Sequence, residues 1–280
     1  VDQAMNDPRA AELHDALTHG RSIATFTSRD PSFDTAQAYA VAGEMHRARV
    51  ARGERPVGRK IGFTNRNIWA EYGVYEPIWG FVYDATVSHA RDGRAELALA
   101  GLLEPRLEPE IVLHFARAPA VTGGPPRGRD PADLESEILA CIDWIAHGFE
   151  IVQSPYPAWK FKVQDTVAAN GLHGRLVIGA PVPVADIPDC ARRLREFRIA
   201  LARDGEVQAV GSGANVLDSP LLAFAHLAEV LARLPQFPPV AAGEVVTTGT
   251  LTAALPVQPG ERWRTRLDGI ALPPLEIEFR

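Results

Sequence analysis

Two carboxylates stand at i and i+2 in "LEPEIVLHF", residues 107–115, an otherwise apolar run. Successive side chains of a strand point to opposite faces, so Glu108 and Glu110 would look into one patch of space. Like charges held in apolar surroundings repel, and each is costly to desolvate, so something must neutralise them. Glu150, in "HGFEIVQS", again starts an apolar strand-like segment, and the intervening ~40 residues suffice to bring the chain back beside the first strand. Three converging carboxylates would favour a hard divalent cation, magnesium, manganese or calcium, over zinc or copper. E-x-E alone is short and common, and it equally fits a solvated strand edge with Glu150 capping a helix or pairing an arginine.

Other residues carry weaker signals. Lys60 lies in "GRKIGFT" (58–64), an otherwise apolar stretch, which points its ammonium inward or into a cleft. Burial and a nearby metal would lower its pKa there toward a useful acid–base range. "WKFKVQDTVAANG" (159–171) offers Lys160 and Lys162 on one strand face, with Asp165 and Asn170 beyond. An exposed pair flanking Phe161 fits the same pattern. "GSGANVLDSP" contributes Gly211 and Ser212 at a turn entering a helix, where backbone N–H groups can hold a carboxylate; a plain turn is the simpler reading. Of the tryptophans, Trp69, Trp144 and Trp263 read as core or interface residues, and Trp79 and Trp159 as pocket edges. His14, His19, His46, His89, His147, His173 and His226 show no zinc spacing, and no nucleophile elbow, P-loop or dinucleotide fingerprint occurs.

The elements that must position these groups follow from periodicity and capping. Two N-terminal helices are expected, one over "DPRAAELHDALTHG" ending at Gly20, the other capped by Asp34 or Thr35 with Ala38, Val41, Met45 and Ala48 on one stripe. Strands are expected at 60–64, 79–83, 107–115, 159–163 and 175–179. Residues 117–132 read as a surface loop insertion, rich in Gly, Pro and Arg. "DLESEILACIDWIAHGFE" reads as an amphipathic helix capped by Asp133, with Leu134, Ile138, Cys141 and Ile145 inward and Gly148 at its end. A hairpin turning at Asp204-Gly205, a helix capped by Ser219 with Pro220 first, and a tail of short strands complete the chain. The fold class is mixed α/β (α+β), mainly antiparallel, with no internal repeat.

Composition bounds the setting. The chain has 280 residues, 46% hydrophobic and 23% charged, and a net charge of −6 with scattered arginines. It is large enough to bury a core, gives no footprint for nucleic acid, and has no apolar run of membrane-spanning length. Cys141 and Cys190 form no C-x-x-C pair and no basic n-region with an apolar h-region is seen, so a reducing cytoplasm is the expected compartment.

Taken in order, "GRKIGFT", "LEPEIVLHF", "HGFEIVQS", "WKFKVQDTVAANG", "GSGANVLDSPLLAFAHLAEVLA" and "VVTTGTLTAALPVQPGERWRTRLDGI" resemble the successive blocks of the 2-keto-4-pentenoate hydratase group of the fumarylacetoacetate hydrolase superfamily. That group also holds 4-oxalocrotonate decarboxylases and 2-oxohept-3-enedioate hydratases. The resemblance implies a mixed β-sheet roll with flanking helices over residues 56–280, a helical N-terminal portion over 1–55, and a homo-oligomer. It implies Glu108, Glu110 and Glu150 as ligands of magnesium (or manganese or calcium), and Lys60, Lys162 and Asp165 as catalytic groups, with Thr166 in the same block. Trp79, Gly211, Ser212 and Thr250 become candidates for substrate contact. The implied activity is hydration of a 2-hydroxy-2,4-dienoate to a 4-hydroxy-2-oxo acid in aromatic-compound catabolism. The ion would act as a Lewis acid toward the chelated 2-oxo acid. Decarboxylation of a 4-oxalocrotonate-like acid and hydrolysis of an acylpyruvate are the alternatives. A hydrolase would need a His–Glu pair such as His46 and Glu44, and a decarboxylase a cation for a second carboxylate, from Arg59, Arg66 or Arg106. A non-enzymatic protein that keeps only the fold would be marked by a lost glutamate, and all three are present. The chain departs from the "EIVDSR" and "DTVADN" patterns at Gln153, Pro155 and Ala169, which leaves an arginine and two carboxylates missing.

Overall fold

The protein is seen as a computed structural model that describes residues 5–66, 69–120 and 129–280. At the N-terminus, α1 (Pro8–Thr18) starts where the Asp7 carboxylate accepts from Arg9 N, and the chain leaves it through Gly20 at φ +63°. After the single turn α2 (Phe26–Arg29), α3 (Thr35–Ala51) opens with a reciprocal capping box between Asp34 and Gln37. Ala38, Val41 and Met45 are buried on its inner stripe, as their spacing predicts.

The chain then lays down β1 (Pro56–Gly62), α4 (Trp69–Tyr72), β2 (Ile78–Tyr83), β3 (Val87–His89), β4 (Arg94–Leu97) and the long β5 (Arg106–Phe115). Next come α5 (Pro131–Leu139), β6 (Ile142–Val152), α6 (Val163–Ala168), β7 (His173–Ile178), β8 (Val182–Pro183) and α7 (Cys190–Glu196). The hairpin β9 (Arg198–Arg203) and β10 (Glu206–Ser212) turns at Asp204-Gly205 as expected, and α8 (Pro220–Ala232) follows with Ser219 accepting from Leu221 N. Four short strands, β11 (Val245–Thr247), β12 (Leu255–Pro256), β13 (Arg262–Asp268) and β14 (Glu276–Phe279), end the chain.

Two sheets result. The larger runs β2-β1-β11-β5-β6-β7-β3, with β12 also on β5 and β8 on β6; the smaller runs β10-β9-β13-β14-β4. Parallel pairs β1/β11, β3/β7 and β4/β14 make both sheets mixed. Their facing sides close on Leu107, Phe149, Ile151 and Val177 from one and Leu201, Trp263, Ile277 and Phe279 from the other. Farther along that same face of the larger sheet, Leu113, Phe115, Leu134, Ile138, Leu221 and Phe224 form a helix-covered core that also takes in Leu13, Ala38, Val41 and Phe26. Residues 1–55 and 56–280 therefore share one hydrophobic interior.

Two expected elements are corrected. The helix does not run from Asp133 to Gly148: it is capped by Asp130, stops at Leu139, and from Ile142 the chain is strand. Apolar spacing at Ile138, Ile142 and Ile145 suits either conformation, and pairing decides it, because β6 matches β5 from Arg106↔Val152 to Phe115↔Ile142. Gly148 is no helix stop. A Cβ there would come 2.8 Å from Val112 Cγ2 and 3.0 Å from Val177 O, so the crowded strand interior requires glycine. The strand expected at 159–163 is absent: Pro157–Trp159 forms a 3₁₀ turn with Ala158 and Trp159 at positive φ, and α6 begins at Val163. Lys160 and Lys162 are both exposed and share no strand face. Much of the loop expected at 117–132, from 121 to 128, lies outside the described residues.

Candidate metal centre

Strand register brings the carboxylates together. Glu108 on β5 lies directly opposite Glu150 on β6, and Glu110, two residues along, is on the same face. One oxygen from each of Glu108, Glu110 and Glu150 lies within 4.8 Å of the others. Glu110 and Glu150 are fully buried, while Glu108 borders a cavity. Glu110 Oε2 accepts from Gly249 N at 2.7 Å, and Glu150 Oε1 pairs with His173 Nδ1 at 2.8 Å. His173 Nε2 in turn meets Thr86 Oγ1 at 2.8 Å, which fixes the ring. Glu110 Oε1 and Glu150 Oε2 are buried with no hydrogen-bond partner. An oxygen-only donor set with two such atoms fits a divalent cation.

Lys60 joins the cluster from β1, where it is 3% exposed. Its ammonium is 3.1 Å from Glu150 Oε2, an ion pair without hydrogen-bond alignment, and donates to Gly171 O at 3.0 Å. Three consecutive left-handed residues, Asn170, Gly171 and Leu172, carry that carbonyl to it. Asn170 is itself clamped by both backbone groups of Phe81. Burial pulls the Lys60 pKa down, but Glu150, then Glu108 and Glu110, outweigh it and hold the ammonium above its ordinary value. The expected lowering at Lys60 is therefore reversed among these protein groups. Burial, with Glu150 as a like charge, pushes Glu108 up to about 7. Burial and then Glu150 and Glu108 push Glu110 well upward. Burial also raises Glu150, yet the Lys60 charge and the His173 contact prevail and hold it at about 2.

The cluster lies at the wall of a cavity of about 140 Å³, bordered by Lys60, Ile61, Ile78, Glu108, Val152, Phe161, Thr166, Leu172 and Thr250. Arg106 and Trp159 border it too, the guanidinium 4.1 Å from the indole ring centre. Of the expected groups, Glu108, Glu110, Glu150 and Lys60 meet, and Thr166, Thr250 and Trp159 border the same space.

Others are placed elsewhere. Trp79, paired with Ile61 rather than Lys60, falls on the opposite sheet face, where it stacks on Tyr39 and meets Phe81 and Phe237 edge-on. Lys162 is exposed and does not border the cavity. Asp165 is buried but accepts from Thr27 N, Thr27 Oγ1 and Lys162 N, tying α2 to α6. Gly211 and Ser212 are outside the cavity lining: a Cβ at Gly211 would meet Leu251 O, and Ser212 bonds Asn215, whose amide donates to that same carbonyl. They brace the segment bearing Thr250. Gln153, Pro155 and Ala169 border a separate space of about 190 Å³ with His46, Arg49 and Arg52. Residues not singled out from sequence are Gly249, Gly171 and His173. Gly249, at φ +98° and with room for no Cβ beside Thr64, stood inside the "TTGT" block, whereas nothing local marked His173.

The fumarylacetoacetate hydrolase C-terminal family profile matches residues 77–274. The chain belongs to the fumarylacetoacetate hydrolase family. Within it, the chain is 32% identical to 2-hydroxyhexa-2,4-dienoate hydratase of Comamonas testosteroni over 96% of each sequence. It is also 32% identical to 4-oxalocrotonate decarboxylase of Pseudomonas sp. CF600, over 93% of this chain and 92% of that one. The 4-oxalocrotonate decarboxylase of Pseudomonas putida G7, solved with magnesium and adipate, superposes with a TM-score of 0.83 at 30% identity, covering 98% of this chain and 96% of its own. The expected fold is therefore that of this family.

Proposed function

We propose that the protein is a divalent-metal-dependent hydro-lyase that adds water to a 2-hydroxy-2,4-dienoate, giving a 4-hydroxy-2-oxo acid. The observation that carries this reading is the convergence of Glu108, Glu110 and Glu150 beside Lys60 at the wall of a largely apolar cavity. The three glutamates would hold the ion, magnesium first among the hard divalent cations. When bound, it supplies Lewis acidity toward the oxygens of a 2-oxo acid. Lys60 stands at the cluster, so its Nζ would place a donor N–H beside the oxygens on which charge gathers as the enol proton leaves. Gly171 O and Glu150 hold that Nζ in place. Ile61, Ile78, Val152 and Leu172 surround the carbon chain and keep bulk water from it. A hydratase among the relatives supports the choice of reaction. The same reading makes the enzyme a cytoplasmic homo-oligomer serving aromatic-compound breakdown; light scattering on the purified protein tests the assembly.

Purified protein with magnesium should bleach the ultraviolet absorbance of 2-hydroxypenta-2,4-dienoate without releasing carbon dioxide. Carbon dioxide release from 4-oxalocrotonate at a higher kcat/KM would replace hydration with decarboxylation. No turnover of either acid with magnesium, manganese or calcium would defeat the reading.

A further inference from the structure

Arg106 starts β5, and the alternation that aligns Glu108 with Glu110 puts Arg106 on that same face. It is the guanidinium that borders the cavity, and among the described residues no carboxylate forms an ion pair with it. Its planar guanidinium lies against the Trp159 ring, 4.1 Å from the ring centre, a contact that does not use its in-plane N–H donors. The other arginines considered from sequence are committed. Arg59 is 1% exposed, ion-paired with Glu244 and packed on Phe81. Arg66 pairs with Asp218. Lys60, the other cation of the cavity, belongs to the carboxylate cluster.

The strand also acts as a ruler. At the rise of an extended chain, the Cα of Arg106 is about 7 Å from that of Glu108 and about 14 Å from that of Glu110. A six-carbon chain fits between the carboxylate seat and a guanidinium placed there, with Ile61, Ile78, Val152 and Leu172 around its middle. Arg106 feels Glu108 two residues along only at longer range and makes no direct ion pair among the described residues, and its planar fork suits a carboxylate at two points. We propose that Arg106 is a specificity-determining residue, and that the preferred substrate is a 2-hydroxydienoic acid carrying a second carboxylate at its far end. This rests on the hydratase reading for which end of the acid meets the glutamates.

Two measurements separate the inference from that reading. The first compares kcat/KM of the magnesium-loaded enzyme for 2-hydroxyhexa-2,4-dienedioate and 2-hydroxypenta-2,4-dienoate. The wild type should favour the diacid by tenfold or more, and Arg106→Met should collapse that ratio by on the order of 30- to 100-fold, mainly through KM. Arg106→Lys, which keeps the charge without the fork, should retain part of the preference. The second titrates 2-oxohexanedioate against 2-oxohexanoate by calorimetry with magnesium present, which needs no turnover. A diacid preference in binding that Arg106→Met abolishes, without turnover of either dienoate, upholds Arg106 and removes only the hydratase reading. A wild type that binds and turns over the monoacid better overturns the inference. So does an Arg106→Met variant, folded by circular dichroism, that weakens both acids equally.

Discussion

At the residue scale, the three carboxylates and Lys60 form one electrostatic unit. Lys60→Met leaves Glu150 without its cation in a fully buried position. Metal-free protein should lose about 3 kcal/mol of stability by urea titration, and kcat should fall by 10²-fold or more. Glu110→Gln behaves in the opposite sense. The amide oxygen can still accept from Gly249 N, and a carboxyl that burial and two neighbouring glutamates push well upward is replaced by a neutral group. Without metal this variant should melt no lower than the wild type. The wild type should gain about 2.7 kcal/mol at magnesium a hundredfold above Kd, and the variant should lose that gain. An equal magnesium-induced rise in Tm for both proteins would remove Glu110 from the ligand set.

At the element scale, side chains that sequence suggested for chemistry turn out to join segments. Asp165 ties α2 to the start of α6 through Thr27, with a 2.6 Å bond from its hydroxyl. Asp165→Ala should therefore cost roughly 2–4 kcal/mol in stability, with KM on the folded fraction little changed. A variant of normal Tm but hundredfold lower kcat would return Asp165 to the chemistry. Gly249 links β11 to the cluster, at φ +98° with a Cβ position 1.9 Å from Thr64 Oγ1. Gly249→Ala should cost about 1–3 kcal/mol from backbone strain alone and weaken metal binding, because the N–H that holds Glu110 must move. Calorimetry with magnesium on Gly249→Ala and the wild type checks this; unchanged affinity would contradict it.

At the scale of the whole molecule, the fold excludes protons from several imidazoles. Burial draws His147 and His226 down to about 4, and burial with the charge of Arg59 does the same to His46. An unfolded histidine titrates near 6.5, so between about 6.5 and 4 the unfolded chain binds more protons than the folded one. This contribution is complete above pH 6.5 and is lost as pH falls toward 4. Raised Glu108 and Glu110 act in the opposite sense over the same range, so the rings themselves are the readout: imidazole NMR signals of His147 and His226 should stay those of neutral rings at pH 5.5, and signals that move with a midpoint near 6.5 would argue that these rings titrate freely. The sequence by itself determined the two carboxylates on one strand face, the hairpin at Asp204-Gly205 and the capped helices α1, α3 and α8, because these depend on local period, capping and turn chemistry. It also determined the family, through the order of its motifs. Tertiary structure decided that 142–148 is strand, since its apolar spacing suits two conformations and only the ladder with β5 selects one. It likewise placed Trp79 away from the cavity, made Asp165 a tie and set His173 behind Glu150. Each of those placements depends on which face or neighbour a residue meets across the sheet, information that spacing along one strand does not contain.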